Sequence, residues 1–208
     1  MSNPAYQAAR AAASREKIIA ASLRMFVEHG FDNASLIDIA KAAGVSTATL
    51  FKHFPKKDDM LAAAIDTLAS LEDDASIPQG EKFTPSALKT IALQYARRLD
   101  NPMMLGLIRL GILESGRQPH IGPIVSDAWR KPFLARLNQL LDQGINDTIL
   151  RIPDRTVAVR QFLGLITDAI LWPRLLGLGG TNAPGFRDAV VEEGLKTFLS
   201  RYAITSSN

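Results

Sequence analysis

Between Ser35 and Phe54 the chain reads SLIDIAKAAGVSTATLFKHF, and few folds are open to such a run. Leu36, Ile39, Ala40 and Ala43 recur at i, i+3, i+4 and i+7, one buried stripe of a short helix. Ser35 is placed to cap that helix, with Asp38 three positions on as an acidic variant of the capping box. Gly44 predicts its end, because glycine enters the left-handed region without a Cβ penalty. Ser46 is placed to cap a second helix from Thr47 to about Phe54, with Val45, Leu50, Phe51 and Phe54 turned back on the first. Two short helices about a tight glycine-containing turn make a helix-turn-helix. Thr47, Thr49, Lys52 and His53 occupy the remaining face of the second helix. They are the small polar and basic groups that reach phosphates and base edges.

The run from Phe31 to Leu61 resembles the DNA-binding signature of the TetR family of transcriptional regulators. The residues that carry the resemblance are Gly30-Phe31, Ser35 with Asp38-Ile39-Ala40, Ala43 to Ser46, Thr49-Leu50-Phe51, His53-Phe54, Lys57 and Leu61. The pattern is ordered and dense and covers roughly the first third of the chain. It departs from the family in three places. Phe51 stands where tyrosine is usual, which removes one phosphate-contacting hydroxyl; Ala48 replaces a frequent glycine; Lys56 stands where a capping Ser or Asn is common. These departures bear on affinity and site choice rather than on fold.

The resemblance implies an all-α fold of about nine helices. Residues 1–56 would form a three-helix DNA-binding domain, and residues 57–208 a helical ligand-binding and dimerisation domain. It implies DNA contacts by Ser35, Ser46, Thr47, Thr49, Phe51, Lys52, His53 and Lys57, with His53 donating to a phosphate. Phosphate contacts position a protein, whereas base contacts specify its site, and the spacing alone does not sort these residues into the two groups.

Charge placement agrees with a nucleic-acid partner. Residues 1–58 hold eight Lys and Arg (10, 15, 17, 24, 41, 52, 56, 57) against five Asp and Glu (16, 28, 32, 38, 58). The remaining residues carry sixteen of each sign, so the whole net charge of +3 belongs to the part expected to face DNA. Arg10, Arg15 and Lys17 precede or open the first helix, expected from about Ser14 to His29. Met1 to Ala13 is alanine-rich and reads as a loose, solvated tail, although basic arms of this kind reach phosphates or a minor groove elsewhere.

Several classes are disfavoured. The chain has no cysteine, which excludes disulfides and thiolate metal sites and suits a reducing cytoplasm. His29, His53 and His120 lack metal-ligand spacing, and no Ser/His/Asp set or glycine-rich phosphate loop stands out, so an all-helical enzyme is the remote alternative. No metal and no cofactor are expected. The N-terminus has no apolar signal region, and the longest apolar stretch, Phe162 to Leu178, is broken by Asp168, Pro173 and Arg174, so no membrane span is expected.

Beyond the helix-turn-helix, further helices are expected at about 57–71, 84–99, 103–115, 123–144, 155–176 and 184–202, with Pro132 as a possible kink. The fourth of the chain's helices leads into the second domain and is the expected mechanical link. Glu72 to Lys82 reads as the boundary loop, Gly177 to Ala183 as a glycine-rich turn, and Ile204 to Asn208 as a disordered end. By family logic the second domain holds an effector pocket lined by Tyr95, Leu99, Met103, Met104, Leu107, Trp129, Phe133, Phe162 and Ile166. A stripe of this kind is more often plain core. As lining it favours a small hydrophobic or aromatic effector, with Asp168 and Arg109 either as buried polar anchors or as partners paired across helices.

The last two helices are the expected homodimer interface, through Phe162, Leu163, Ile166, Ile170, Leu171 and Trp172 on one and Val190, Val191, Leu195, Phe198 and Leu199 on the other. A two-fold dimer implies a palindromic operator. The expected function is therefore a homodimeric repressor released from DNA by its effector. A transcriptional activator or a corepressor-dependent regulator is written in the same residues and differs only in the sign of the ligand effect.

Overall fold

Helices form wherever the apolar period of 3.6 residues is framed by caps. In the computed structural model, which describes residues 4–71, 82–178 and 183–204, they are α1 (Pro4–His29), α2 (Leu36–Ala42), α3 (Thr47–His53), α4 (Lys57–Leu71), α5 (Pro85–Asp100), α6 (Pro102–Glu114), α7 (Ile121–Asn146), α8 (Arg155–Leu175) and α9 (Phe186–Tyr202). The expected all-α architecture is what the chain adopts. Residue pairing outside helices among the described residues is confined to one isolated antiparallel bridge, Leu150 with Ala203.

The largest correction concerns α1. The expected tail up to Ala13 is helical from Pro4 onward. Alanines 5, 8, 9, 11, 12 and 13 have the best intrinsic helix propensity, and no glycine or proline interrupts them before the packed segment that begins at Ile18. A helix already nucleated by packing adds one hydrogen bond for each further residue ordered. Smaller shifts follow from proline and glycine. α7 opens at Ile121, so Pro123 falls in the first turn, where its missing N–H is not needed, and the helix runs through position 132 without a break. α9 opens at Phe186 instead of Pro184, because Gly185 takes a left-handed φ of +78°. The expected features at 72–81, 179–182 and 205–208, and the first three residues, lie outside the described residues.

The chain divides into two compact units, Met1–Leu71 with Gly106–Trp129, and Glu72–Leu105 with Arg130–Asn208. In the first unit α1 packs on α2, α3 and α4. Its core comprises Ile18, Phe26, Phe31, Ile39, Leu50, Phe54, Met60, Leu61 and Ile65, each buried. Phe26 and Phe31 have ring centroids 5.3 Å apart. The Arg15 guanidinium lies 5.2 Å from the centre of the Phe54 ring, tying α1 to the end of α3. A Cβ on Gly106 would stand 2.5 Å from Val27 Cγ1, so α6 meets α1 too closely there for any side chain.

In the second unit α5, α8 and α9 pack on one another. Phe162 and Phe198 stack at 4.9 Å, as do Phe198 and Tyr202, whose hydroxyl donates to Gln161 at 2.6 Å. Polar ties join the same helices: Lys89 of α5 bonds Glu192 of α9, and Asp100 receives Arg174 at 2.5 Å and Arg187 at 3.5 Å. The chain after α9 is also held, since Ile204 N–H donates to the Ile149 carbonyl at 2.9 Å.

Candidate nucleic-acid interface

The helix-turn-helix is built by local chemistry. Ser35 has the extended backbone of an N-cap; its Oγ accepts from Asp38 N–H at 3.0 Å and donates to the Asp38 carboxylate at 2.5 Å. α2 buries Ile39 and Ala40 and ends at Gly44, which has a φ of +66°. The turn closes through Val45 N–H to the Ala40 carbonyl at 3.0 Å. Ser46 then caps α3, accepting from Thr49 N–H at 3.1 Å, and its hydroxyl pairs with the Thr49 hydroxyl at 2.8 Å. Such a cap contributes about 1 kcal/mol. α3 is too short to hold itself, and Leu50, fully buried, with Phe54, supplies the packing that does so.

What faces out is the polar set the sequence named. Thr47 and Lys52 are exposed, and Thr49, His53 and Ser35 are half-buried; Phe51, expected to turn back on α2, is instead 49% exposed, because Leu50 and Phe54 already occupy the inward positions. Ser46, Thr49, Lys52 and His53 line one side of an open cleft of about 770 Å³.

Lys57 lies against neighbours of its own unit. Its ammonium lies 4.7 Å from the Phe31 ring centre and 6.0 Å from that of Phe26, and it donates to the Asp32 carbonyl at 3.2 Å. Partial burial lowers its pKa, against the opposing pull of Asp32, Glu114 and Asp58. In the unit seen here it braces the start of α4 against the end of α1.

The nominated effector residues divide. Tyr95, Leu99, Met104, Leu107, Phe133, Phe162 and Ile166 are buried and Met103 is half-buried; the Trp129 side chain lies outside the described residues. Leu107 and Trp129 belong to the first unit and the rest to the second. Tyr95 and Phe133 meet edge to face at 5.5 Å, whereas Phe162 is engaged with Phe198 in the α8–α9 core. The Tyr95 hydroxyl pairs with Thr167 at 2.8 Å, and burial raises its pKa while Thr167 and Arg130 oppose the rise.

The expected anchors Asp168 and Arg109 are both exposed. Among the described residues of the second unit the buried charge is Arg98, only 1% exposed, with its guanidinium 4.4 Å from the Phe133 ring centre. A signal for it was present: Leu88, Ile91, Tyr95 and Arg98 follow the i, i+3, i+7, i+10 rhythm of one face, so the arginine sits in the apolar stripe of α5.

The expected dimer residues also need correction. Phe162, Leu163, Ile166, Ile170, Leu171, Val191, Leu195 and Phe198 are buried within the chain. Of the named set Trp172 is 49% exposed, and beside it on α8 Leu165 is 42% exposed. The outer face of α8 and α9 carries an open groove of about 680 Å³ lined by Gln161, Gly164, Leu165, Asp168, Thr197 and Arg201, among others. α8 is apolar on more than one face, and sequence periodicity does not say which face the chain itself covers.

Among the described residues no helix is long and apolar enough to cross a membrane, and no cluster of His, Asp and Glu is suited to a metal ion.

Comparison with known proteins gives the same outline. Residues 18–64 match the model for bacterial regulatory proteins of the tetR family, and residues 86–204 match that for the C-terminal domain of the AefR-like transcriptional repressors. The HTH-type transcriptional regulator SrpR of Pseudomonas putida is 30% identical over 163 residues, which is 77% of this chain and 75% of SrpR. The crystal structure of a TetR-family regulator from Mesorhizobium loti superposes with a TM-score of 0.75 at 21% identity, over 94% of this chain and 99% of that one. The flavonoid-responsive regulator FrrA has the same TM-score at 30% identity, over 93% of this chain and 98% of its own. These relatives are transcriptional regulators rather than enzymes. The chain is a member of the TetR family of DNA-binding transcriptional regulators.

Proposed function

We propose that the chain is a homodimeric repressor that occupies a palindromic operator through α3 and is released by a small, largely hydrophobic effector. The observation that carries this reading is the support of α3, capped by Ser46 and anchored by buried Leu50, with Thr47, Thr49, Lys52 and His53 on its other side. A helix held in this way enters a major groove without an ordering cost. In this reading residues 1–56 carry the DNA contacts, made by Ser35, Ser46, Thr47, Thr49, Phe51, Lys52 and His53, while Lys57 supports them from behind. Residues 57–208 carry effector binding and dimerisation.

A second copy is the occupant we assign to the groove on α8 and α9. Exposed Leu165 and Trp172 supply apolar area, Gly164 allows close approach, and Asp168 with Arg201 gives the groove both charges that a self-complementary two-fold contact pairs. For the effector, Tyr95 and Phe133 offer aromatic walls, and Arg98 and Thr167 offer polar ends. Such a set suits an aromatic molecule bearing hydroxyl or acidic groups, the chemistry in the name of the flavonoid-responsive relative. Release follows if the effector binds better to the conformation that fits DNA worse.

The test is selection of a binding site from a random duplex pool, followed by titration of the selected duplex in the presence and absence of flavonoids. A palindromic consensus bound by a dimer and weakened by the effector is the expected result. An asymmetric site bound by a monomer, or tighter binding with effector, would refute it.

A further inference from the structure

The helical start of α1 has a consequence for the DNA site. The matched family model begins at residue 18, yet α1 runs for fourteen residues before that point. On this added segment Gln7, Arg10, Ser14 and Lys17 fall at i, i+3, i+7 and i+10, one face of the helix about 15 Å long. All four line the cleft whose other wall is Ser46, Thr49, Lys52 and His53. The residues of α3 that read as DNA-contacting thus face Gln7 and Arg10, which read from sequence as tail, and Ser14 and Lys17, which read as the opening of the first helix. Every charged or titratable side chain on the lining, Arg10, Lys17, Lys52 and His53, is cationic or becomes so on protonation. Arg10, Lys17 and Lys52 are exposed.

From this we infer that the N-terminal extension of α1 is a second DNA-contacting element, with Arg10 and Lys17 binding phosphates of the duplex whose major groove receives α3. The inference rests on the DNA-binding reading above and adds to it the partner of the cleft. The contacts are ionic and blind to sequence, so they raise affinity for every duplex alike and lengthen the footprint of each protomer. The geometry serves that role. Seven residues place Arg10 and Lys17 about 10 Å apart on one helix face, and a continuous helix holds them without the ordering cost of a flexible arm. Gln7 and Ser14 lie between and beside them as neutral donors to the same backbone.

The experiment is a salt titration of duplex binding by fluorescence anisotropy, using a 30-base-pair mixed-sequence duplex and the full-length protein. The test variant is Arg10→Ala/Lys17→Ala, which keeps helix propensity; Lys82→Ala/Arg151→Ala removes the same charge from residues that do not line the cleft. The inference expects the test variant to lose roughly tenfold or more in affinity, and its log Kd against log salt slope to fall by about 0.9 for each contact removed. It expects the control pair to change neither, and Arg10→Lys/Lys17→Arg to bind as the wild type does. An unchanged slope overturns it, whether or not affinity falls, because the lost contacts were then not ionic. Equal losses in the control pair overturn it in favour of net charge alone. Should the wild-type protein bind no duplex at low salt, the DNA-binding reading itself fails, a result distinct from either.

Discussion

The Lys57 ammonium stands 4.7 Å from the centre of the Phe31 ring and donates to the carbonyl of Asp32, the next residue, at 3.2 Å. A lysine that reads from the motif as a phosphate contact is therefore engaged inside its own unit. Lys57→Ala removes a half-buried cation–π contact and a hydrogen bond, and is expected to destabilise the protein by about 1–2 kcal/mol. A lower urea midpoint at constant slope would establish this, and an unchanged midpoint would return Lys57 to a purely DNA-facing role.

Ser46 combines two duties that substitution can separate. Ser46→Ala loses the cap on α3 and should cost about 1 kcal/mol in stability and also weaken DNA binding. Ser46→Asp keeps a capping oxygen, so thermal stability should stay near wild type. Its new negative charge on the cleft proposed to receive DNA should nevertheless reduce duplex affinity more than the alanine does. Equal affinity losses in the two variants would mean that Ser46 acts through the helix alone.

Gly106 sits where α6 meets α1, with the space for a Cβ taken by Val27 Cγ1 at 2.5 Å. Gly106→Ala is expected to destabilise by about 1–3 kcal/mol through overpacking. Adding Val27→Ala should recover part of that loss, a negative coupling that a double-mutant cycle measures. Strict additivity would show that the strain is relieved elsewhere.

Leu165, on α8, is 42% exposed and lines the groove on α8 and α9. Leu165→Glu should leave helix content and monomer stability within about 0.5 kcal/mol of wild type. It should shift sedimentation from dimer to monomer, because a two-fold contact brings the two introduced charges together. A dimer that persists would move the interface to another face.

Tyr95 gives a pH signature. Its raised pKa means that the unfolded chain ionises it first, from the ordinary value of 10.0. The stability associated with the neutral hydroxyl is complete below that pH and declines as pH rises through 10.0 toward the folded value. The stability gap between wild type and Tyr95→Phe should therefore narrow as pH rises through 10.0 toward the folded value. A constant gap would mean that the hydroxyl titrates alike in both states.

The parts legible in the sequence were those whose causes are local. Ser35, Asp38, Gly44 and Ser46 predicted the caps and the turn because each acts on backbone groups within a few residues of itself. The outward polar set of α3 followed from Leu50 and Phe54 claiming the inward positions. The start of α1 was misread although its cause was also in the sequence: alanine content signals helix as well as loose tail, and only continuation from a packed helix separates the two.

Amino-acid order by itself determined the all-helical class, the position of the recognition helix and the concentration of positive charge in the first 58 residues. Tertiary structure alone decided which of several equivalent groups each neighbour uses. It turned Lys57 onto Phe31, set Arg98 against Phe133, consumed Phe162 and Val191 in the chain's own core, and left Leu165 and Trp172 outside. The reason is physical. Periodicity states that a helix has an apolar face, but burial is a property of pairs of elements, and a side chain's partner is fixed only when two faces meet.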